Sequence, residues 1–209
     1  MTQATIPTHT KNPPPGRMTF DEYMEWAGED TNAEWVDGEV VWVSPNSLDS
    51  GDIGQFLGAL LRLYVEHHNL GYVFSERVLM RLATRPSGRE PDVVFVAEER
   101  SAILKKTYID GPADLAIEVV GPESRTRDRV DKFNEYAQAG VREYWIVDSD
   151  EGLFEFYQLN DDRRYELVPA DDYGVYHSSV ISGLWLRVDW LRQRPLPKLL
   201  SVLTEWKII

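Results

Sequence analysis

One stretch constrains the fold more than any other: DLAIEVVGPESRTRDRVDKFNEYAQAGVREYWIVD, from Asp114 to Asp148. It opens on an apolar run of strand character, Leu115 to Val120, and breaks at Gly121-Pro122. RDRVDKFNEYAQA then reads as a helix, closed by Gly140, where a helix C-terminus favours glycine. REYWIVD follows as a further strand. In an alternating strand Leu115, Ile117 and Val119 share one face, and Ala116, Glu118 and Val120 share the other. Glu118 is therefore a carboxylate placed among apolar neighbours, which is costly unless it is paired or binds a metal. Asp92 raises the same question, because it opens the strand DVVFV directly after Pro91. If the two strands are neighbours, both carboxylates sit at strand ends and converge. Two hard oxygen donors with open positions suit Mg²⁺, which keeps waters and takes one or two carboxylates. Lys132 adds a compact positive charge on the helix face of Asp128, four residues earlier. A lysine beside an activated water can orient that water or stabilise charge on a phosphate.

Each of these residues taken alone has an ordinary explanation. Pro-Asp before a strand is often a turn, a core arginine can pair with Glu118, and Asp128 with Lys132 can be a solvated helix pair. The combination is what points to chemistry.

The rest of the chain supplies an α/β (α+β) frame. TFDEYMEWAG carries a capping box, Thr19 with Glu22, and predicts a helix over about 20–26. Asp37-Gly38 between apolar runs predicts a β-hairpin. Apolar residues at helical spacing predict a long helix over 53–67, and GYVFSERVLMRLA reads as one alternating strand. LFEFYQL and RYELVP add strands, SVISGLWLRVDWL is strand or short-helix material, and PKLLSVLTEW predicts a closing helix. A mixed sheet of five or more strands is expected to pack against helices 53–67 and 128–139. Residues 1–17 read as a polar, proline-rich flexible tail and 18–209 as one domain, with loops near 45–51, 84–90 and 98–112.

Composition bounds the function. The chain of 209 residues has no cysteine, which excludes disulfides and thiolate chemistry and fits a cytoplasmic setting. Nothing approaches the roughly 18 apolar residues of a membrane span, and the N-terminus lacks the apolar core of a signal peptide. A net charge of -13 argues against a general nucleic-acid binder but not against an enzyme with local basic groups. Arg77, Arg81 and Arg85 fall at even spacing on the strand after the long helix, and Arg125, Arg127 and Arg129 cluster after Glu118. They are candidate phosphate contacts, or ordinary surface charges balancing the acids. His67, His68 and His177 show no metal-ligand spacing.

Taken together, AEWVDGEVVWVSP, IGQFLGALLRLYV, EPDVVFV, the stretch from Asp114 to Asp148 and FEFYQL resemble the Uma-two family, over roughly residues 19–190. That group has a restriction-endonuclease-like fold within the PD-(D/E)XK nucleases. The resemblance implies Asp92 as first acid, Glu118 as second, and the Val119 carbonyl as a further metal oxygen. Val120 stands where the wider motif has lysine, and Lys132 on the next helix takes that place. Glu34 matches an acid that recurs in the branch. Ser50 stands where the family often carries histidine. The expected activity is Mg- or Mn-dependent hydrolysis of DNA phosphodiester bonds, perhaps-free alternatives being a non-catalytic nucleic-acid- or protein-binding module and a carboxylate-pair glycosidase, which leaves Lys132 without a role. Restriction-like folds often form homodimers, and the aromatic strands REYWIVD and LFEFYQL offer an interface or simply pack in the sheet.

Overall fold

The computed structural model describes residues 12–28, 31–75 and 78–209. Most of the expected tail, residues 1–11, lies outside the described residues, as does Arg77. Local chemistry sets the first elements. Helix α1 (Phe20–Trp26) starts at the predicted capping box, with Thr19 and Glu22 bonding each other's backbone N–H groups. Strands β1 (Ala33–Val36) and β2 (Glu39–Trp42) form the predicted hairpin. Asp37 and Gly38 both take positive φ, 50° and 86°, as a tight two-residue turn requires.

The long helix α2 runs Leu48–His68, beginning earlier than the apolar spacing predicts because Ser47 caps it. The alternating segment beyond it is not one strand. It divides into β3 (Gly71–Ser75) and β4 (Leu79–Leu82), which belong to different sheets. Arg85 lies in the turn after β4, so it does not share a strand face with Arg81. Two of the expected loops also carry structure. Strands β5 (Ser87–Arg89) and β7 (Tyr108–Asp110) are three residues each, and β5 pairs with both β1 and β4. Between them β6 (Val93–Ala97) leads into a 3₁₀ turn over Glu98–Ile103.

The stretch that constrained the fold is β8 (Leu115–Val119), a π-helical turn (Arg127–Lys132), α3 (Phe133–Ala139) and β9 (Glu143–Asp148). Strands β8 and β9 are parallel neighbours, and Gly140 takes the left-handed C-cap conformation. The chain continues through β10 (Leu153–Leu159), β11 (Tyr165–Leu167), β12 (Val175–His177), β13 (Trp185–Arg187) and α4 (Leu199–Glu205).

Three sheets result: a mixed six-stranded sheet in the order β11-β10-β9-β8-β6-β3, a five-stranded sheet in the order β2-β1-β5-β4-β7, and the β12-β13 pair. One face of the six-stranded sheet buries Phe95, Leu115, Ile117, Trp145 and Val147 against Ile53, Leu57, Leu60 and Leu61 of α2 and the C-terminal Trp190 and Trp206. The other face buries Val94, Val96, Ala116, Tyr144 and Ile146 against Tyr136 of α3 and against Met80, Leu82 and Ile109 of the five-stranded sheet. The alternation read from β8 thus separates two cores. β9 is buried along its whole length between β8 and β10, so REYWIVD offers no interface surface. No helix among the described residues is long and apolar enough to cross a membrane.

Candidate functional site

Antiparallel pairing of β6 with β8 sets Val93 opposite Ile117. One step further along that register, Asp92 faces Glu118 at the common end of two adjacent strands. The Asp92 carboxylate accepts the Val119 N–H at 2.7 Å and, more loosely, the Asn46 side-chain amide at 3.4 Å. It is the N–H of Val119, rather than its carbonyl, that ties this residue to the site.

Glu118 leaves β8 on the Ala116–Val120 side, into the space between the two larger sheets. Lys132 comes back from the π turn, its Nζ 2.9 Å from Glu118 Oε2, 3.1 Å from Glu34 Oε1 and 3.4 Å from Asp128 Oδ1. The side chains of all four residues are at least 95% buried. The π turn has a direct consequence: it turns both Asp128 and Lys132 inward, where a solvated helix pair would face water. Tyr136 O–H donates to the other oxygen of Glu118 at 2.8 Å. Each carboxylate oxygen keeps a second lone pair after these contacts.

Beneath this cluster is a second ionic layer that sequence reasoning missed. Arg89 of β5 is 2% exposed. It donates to Glu34 at 2.8 Å and to Glu135 of α3 at 2.7 and 3.1 Å. Ser87 also hydrogen-bonds Glu135. Glu34 therefore accepts Arg89, Lys132 and the Glu90 N–H together. A charge in a three-residue strand gives no periodic signal; the only available hint was an unexplained Arg-Glu pair just before Pro91-Asp92.

The electrostatics follow from this packing. Burial alone would raise the Glu34 carboxyl, but Lys132 and Arg89 outweigh it and hold the group down to about 2. Burial pushes Glu118 up to about 8; Lys132 opposes that rise, while Asp128, Asp92 and Glu34 add to it. Burial raises Asp92 too, against the Val119 N–H and Lys132. For Lys132, burial works against the charge, yet Glu118, Glu34 and Asp128 win and raise it above the ordinary lysine value. Lys132 is thus a fixed cation at neutral pH.

Five carboxylates (Glu34, Asp92, Glu118, Asp128, Glu135) meet three cationic side chains (Lys132, Arg89, Arg127), leaving two formal negative charges when all are ionised. A divalent cation matches that deficit, and oxygen donors are the right kind for Mg²⁺ or Mn²⁺. Among the described residues no three His, Asp or Glu side chains converge as a ready-made cage. The residues fit a two-carboxylate site completed by water, with Asp92 and Glu118 as donors.

The expected basic lining is only partly available. Arg81 pairs with Asp110 at 3.6 Å and lies over the Phe20 ring, and Arg85 pairs with Asp37 at 3.1 Å. Arg125 forms two hydrogen bonds with Asp148 at 2.6 and 3.0 Å, and Arg129 bridges Asp148 and Glu155. Arg127 makes no hydrogen-bonded ion pair; its nearest acid is Asp128 at 3.8 Å. Ser50, in the place where the family often has histidine, is buried on α2 and bonds Ser47.

Comparison with known proteins fits this architecture. A solved structure titled as a putative nuclease belonging to DUF820, from Anabaena variabilis ATCC 29413, superposes with a TM-score of 0.68. It is 17% identical, and the match covers 84% of this chain and 97% of that one, so the likeness is one of fold. No curated protein matches the sequence. The Uma2 family, described as putative restriction endonuclease, matches residues 20–189. With most of its length inside that match, this chain belongs to the Uma2 family.

Proposed function

We propose that this chain is a divalent-metal-dependent endonuclease that hydrolyses phosphodiester bonds in DNA. The observation that carries the reading is the meeting of Asp92 and Glu118 at one sheet end with Lys132, delivered 2.9 Å from Glu118 by the following helix. Mg²⁺ or Mn²⁺ held by Asp92 and Glu118 would supply a bound water of lowered pKa and charge to offset the phosphate. The chain's own groups do the rest. Tyr136 and Lys132 fix the two oxygens of Glu118, so its remaining lone pairs point in set directions. Lys132 stays protonated, which suits it to hold a water or a phosphate oxygen and excludes it as a general base. Glu34 and Arg89 keep the lysine in place from the five-stranded sheet.

A second reading, a non-catalytic module of the same fold, has one observation in its favour. Lys132 already neutralises part of the carboxylate cluster from within. Cleavage of supercoiled plasmid with Mn²⁺ separates the two. Wild type should nick or linearise the plasmid. Glu118→Gln and Lys132→Ala should lose about 10²-fold or more, the scale of removing one charge-stabilising donor. Cleavage that survives both substitutions, or a wild type inert with Mg²⁺ and Mn²⁺, refutes the nuclease reading.

A further inference from the structure

The three arginines of the turn after β8 are not equivalent. Arg125 and Arg129 have their guanidinium groups tied to Asp148 and Glu155 by short, charge-assisted hydrogen bonds. Arg127 sits between them in sequence and has no such partner among the described residues. Its Nε is shielded from solvent and makes no hydrogen bond, and the same is true of Asp128 Oδ1 beside it. The two atoms are 3.8 Å and 3.4 Å, respectively, from their nearest charged neighbours, Asp128 and Lys132, beyond good hydrogen-bonding geometry.

An unsatisfied donor on a buried cation is costly and is rarely retained without a use. Arg127 is also well placed for one. Its side chain is 24% exposed, whereas Lys132, Asp128 and Glu34 are at most 3% exposed. Its charge reaches inward far enough to lower the Glu34 carboxyl. Arg127 therefore spans from the buried cluster to the surface, and it carries a guanidinium fork suited to two oxygens of one phosphate.

We propose that Arg127 binds a backbone phosphate of the nucleic acid at the mouth of the carboxylate–lysine cluster, while Arg125 and Arg129 only brace the turn that presents it. This rests on the nuclease reading of the site but is tested apart from it. The incoming phosphate satisfies the idle guanidinium and adds negative charge where Arg127 alone is free to meet it.

The test is fluorescence anisotropy with a fluorescein-labelled DNA duplex in EDTA, so that binding is read without turnover, over a series of salt concentrations. Wild type should bind with a salt-dependent affinity. Arg127→Ala should weaken binding about tenfold or more and reduce the slope of log K against log salt by about 1, the signature of one lost phosphate contact. Arg127→Lys should keep the slope and lose part of the affinity. Arg62→Ala, which removes an exposed arginine from α2, should behave as wild type. Because Arg127 makes no hydrogen bond to be lost, Arg127→Ala should melt at or above the wild-type temperature. An unchanged slope and affinity for Arg127→Ala overturns the proposal, as does a wild type that does not bind the duplex at low salt. A wild type that binds but never cleaves overturns the nuclease reading and leaves Arg127 to be judged by its slope. Cleavage by wild type with an unchanged slope for Arg127→Ala does the reverse.

Discussion

Replacing Arg89 by methionine tests the layer that holds the site together. Arg89 is almost fully buried and carries the only charged link from β5 to Glu135 among the described residues. Methionine has similar length and no charge, so the substitution removes the ion pairs and leaves most of the packing. Glu135 then keeps Ser87 alone, and Glu34 keeps Lys132 and the Glu90 N–H. Breaking one side of a buried pair costs roughly 3 to 5 kcal/mol, because the remaining charge stays desolvated. That is a large part of the 5 to 15 kcal/mol by which a domain is ordinarily stable. Urea unfolding should show a fall in midpoint with an unchanged slope. Adding Glu135→Gln should recover part of the loss, since a neutral amide costs less to bury, so the double-mutant cycle should give a coupling of about 2 kcal/mol or more. A loss below about 1 kcal/mol, or strict additivity of the two changes, would refute the idea that Arg89 is an obligatory counterion.

Two further outcomes follow from the packing. Burial would raise the Asp148 carboxyl, but Arg125 and Arg129 hold it down to about 2, against 3.8 for an ordinary aspartate. That shift corresponds to roughly 2 kcal/mol of stability, present above about pH 4 and lost as pH falls toward 2. Asp148→Asn should therefore lower the melting temperature at pH 7 and lose most of that difference near pH 2; a constant difference across the range contradicts the assignment. Gly58 lies where α2 presses on β3, and an added Cβ would come within 2.8 Å of Ser75 Cβ. Gly58→Ala should cost about 1 to 3 kcal/mol by thermal melting. Gly54→Ala, whose Cβ would meet only Val119 Cγ2 at 3.9 Å, should be neutral or stabilising. Equal effects at the two positions would rule out the close approach.

What could be read from the sequence was what local chemistry spells out. Thr19 and Glu22 marked α1, Asp37-Gly38 marked the hairpin, and the alternation in β8 separated its two faces, Glu118 included. Asp92, Glu118 and Lys132 were also legible, because their oddness is visible without knowing who the neighbours are. What was illegible depends on long-range pairing. Three-residue strands such as β5 and β7 carry too little pattern to be recognised, and they exist because β1 and β4 offer them partners. Arg89 and Glu135 looked like surface charges for the same reason: nothing in either segment says that a sheet and a helix will close over both. The division of the segment after α2 into β3 and β4 was hidden by an alternation that continues across the break.

The π turn from Arg127 to Lys132 makes the position of the lysine a matter of residue count. Such a turn holds one more residue than the α-helical turn it replaces. Deleting a single residue from it would let the helix close up in ordinary α geometry and rotate everything on one side of the deletion by about 100° relative to the other, the angle of one helical step. Asp128 and Lys132 would then no longer face inward together. A family that builds its site this way can change almost any side chain in this turn gradually, but it cannot shorten the turn by one residue without dismantling the cluster in a single step.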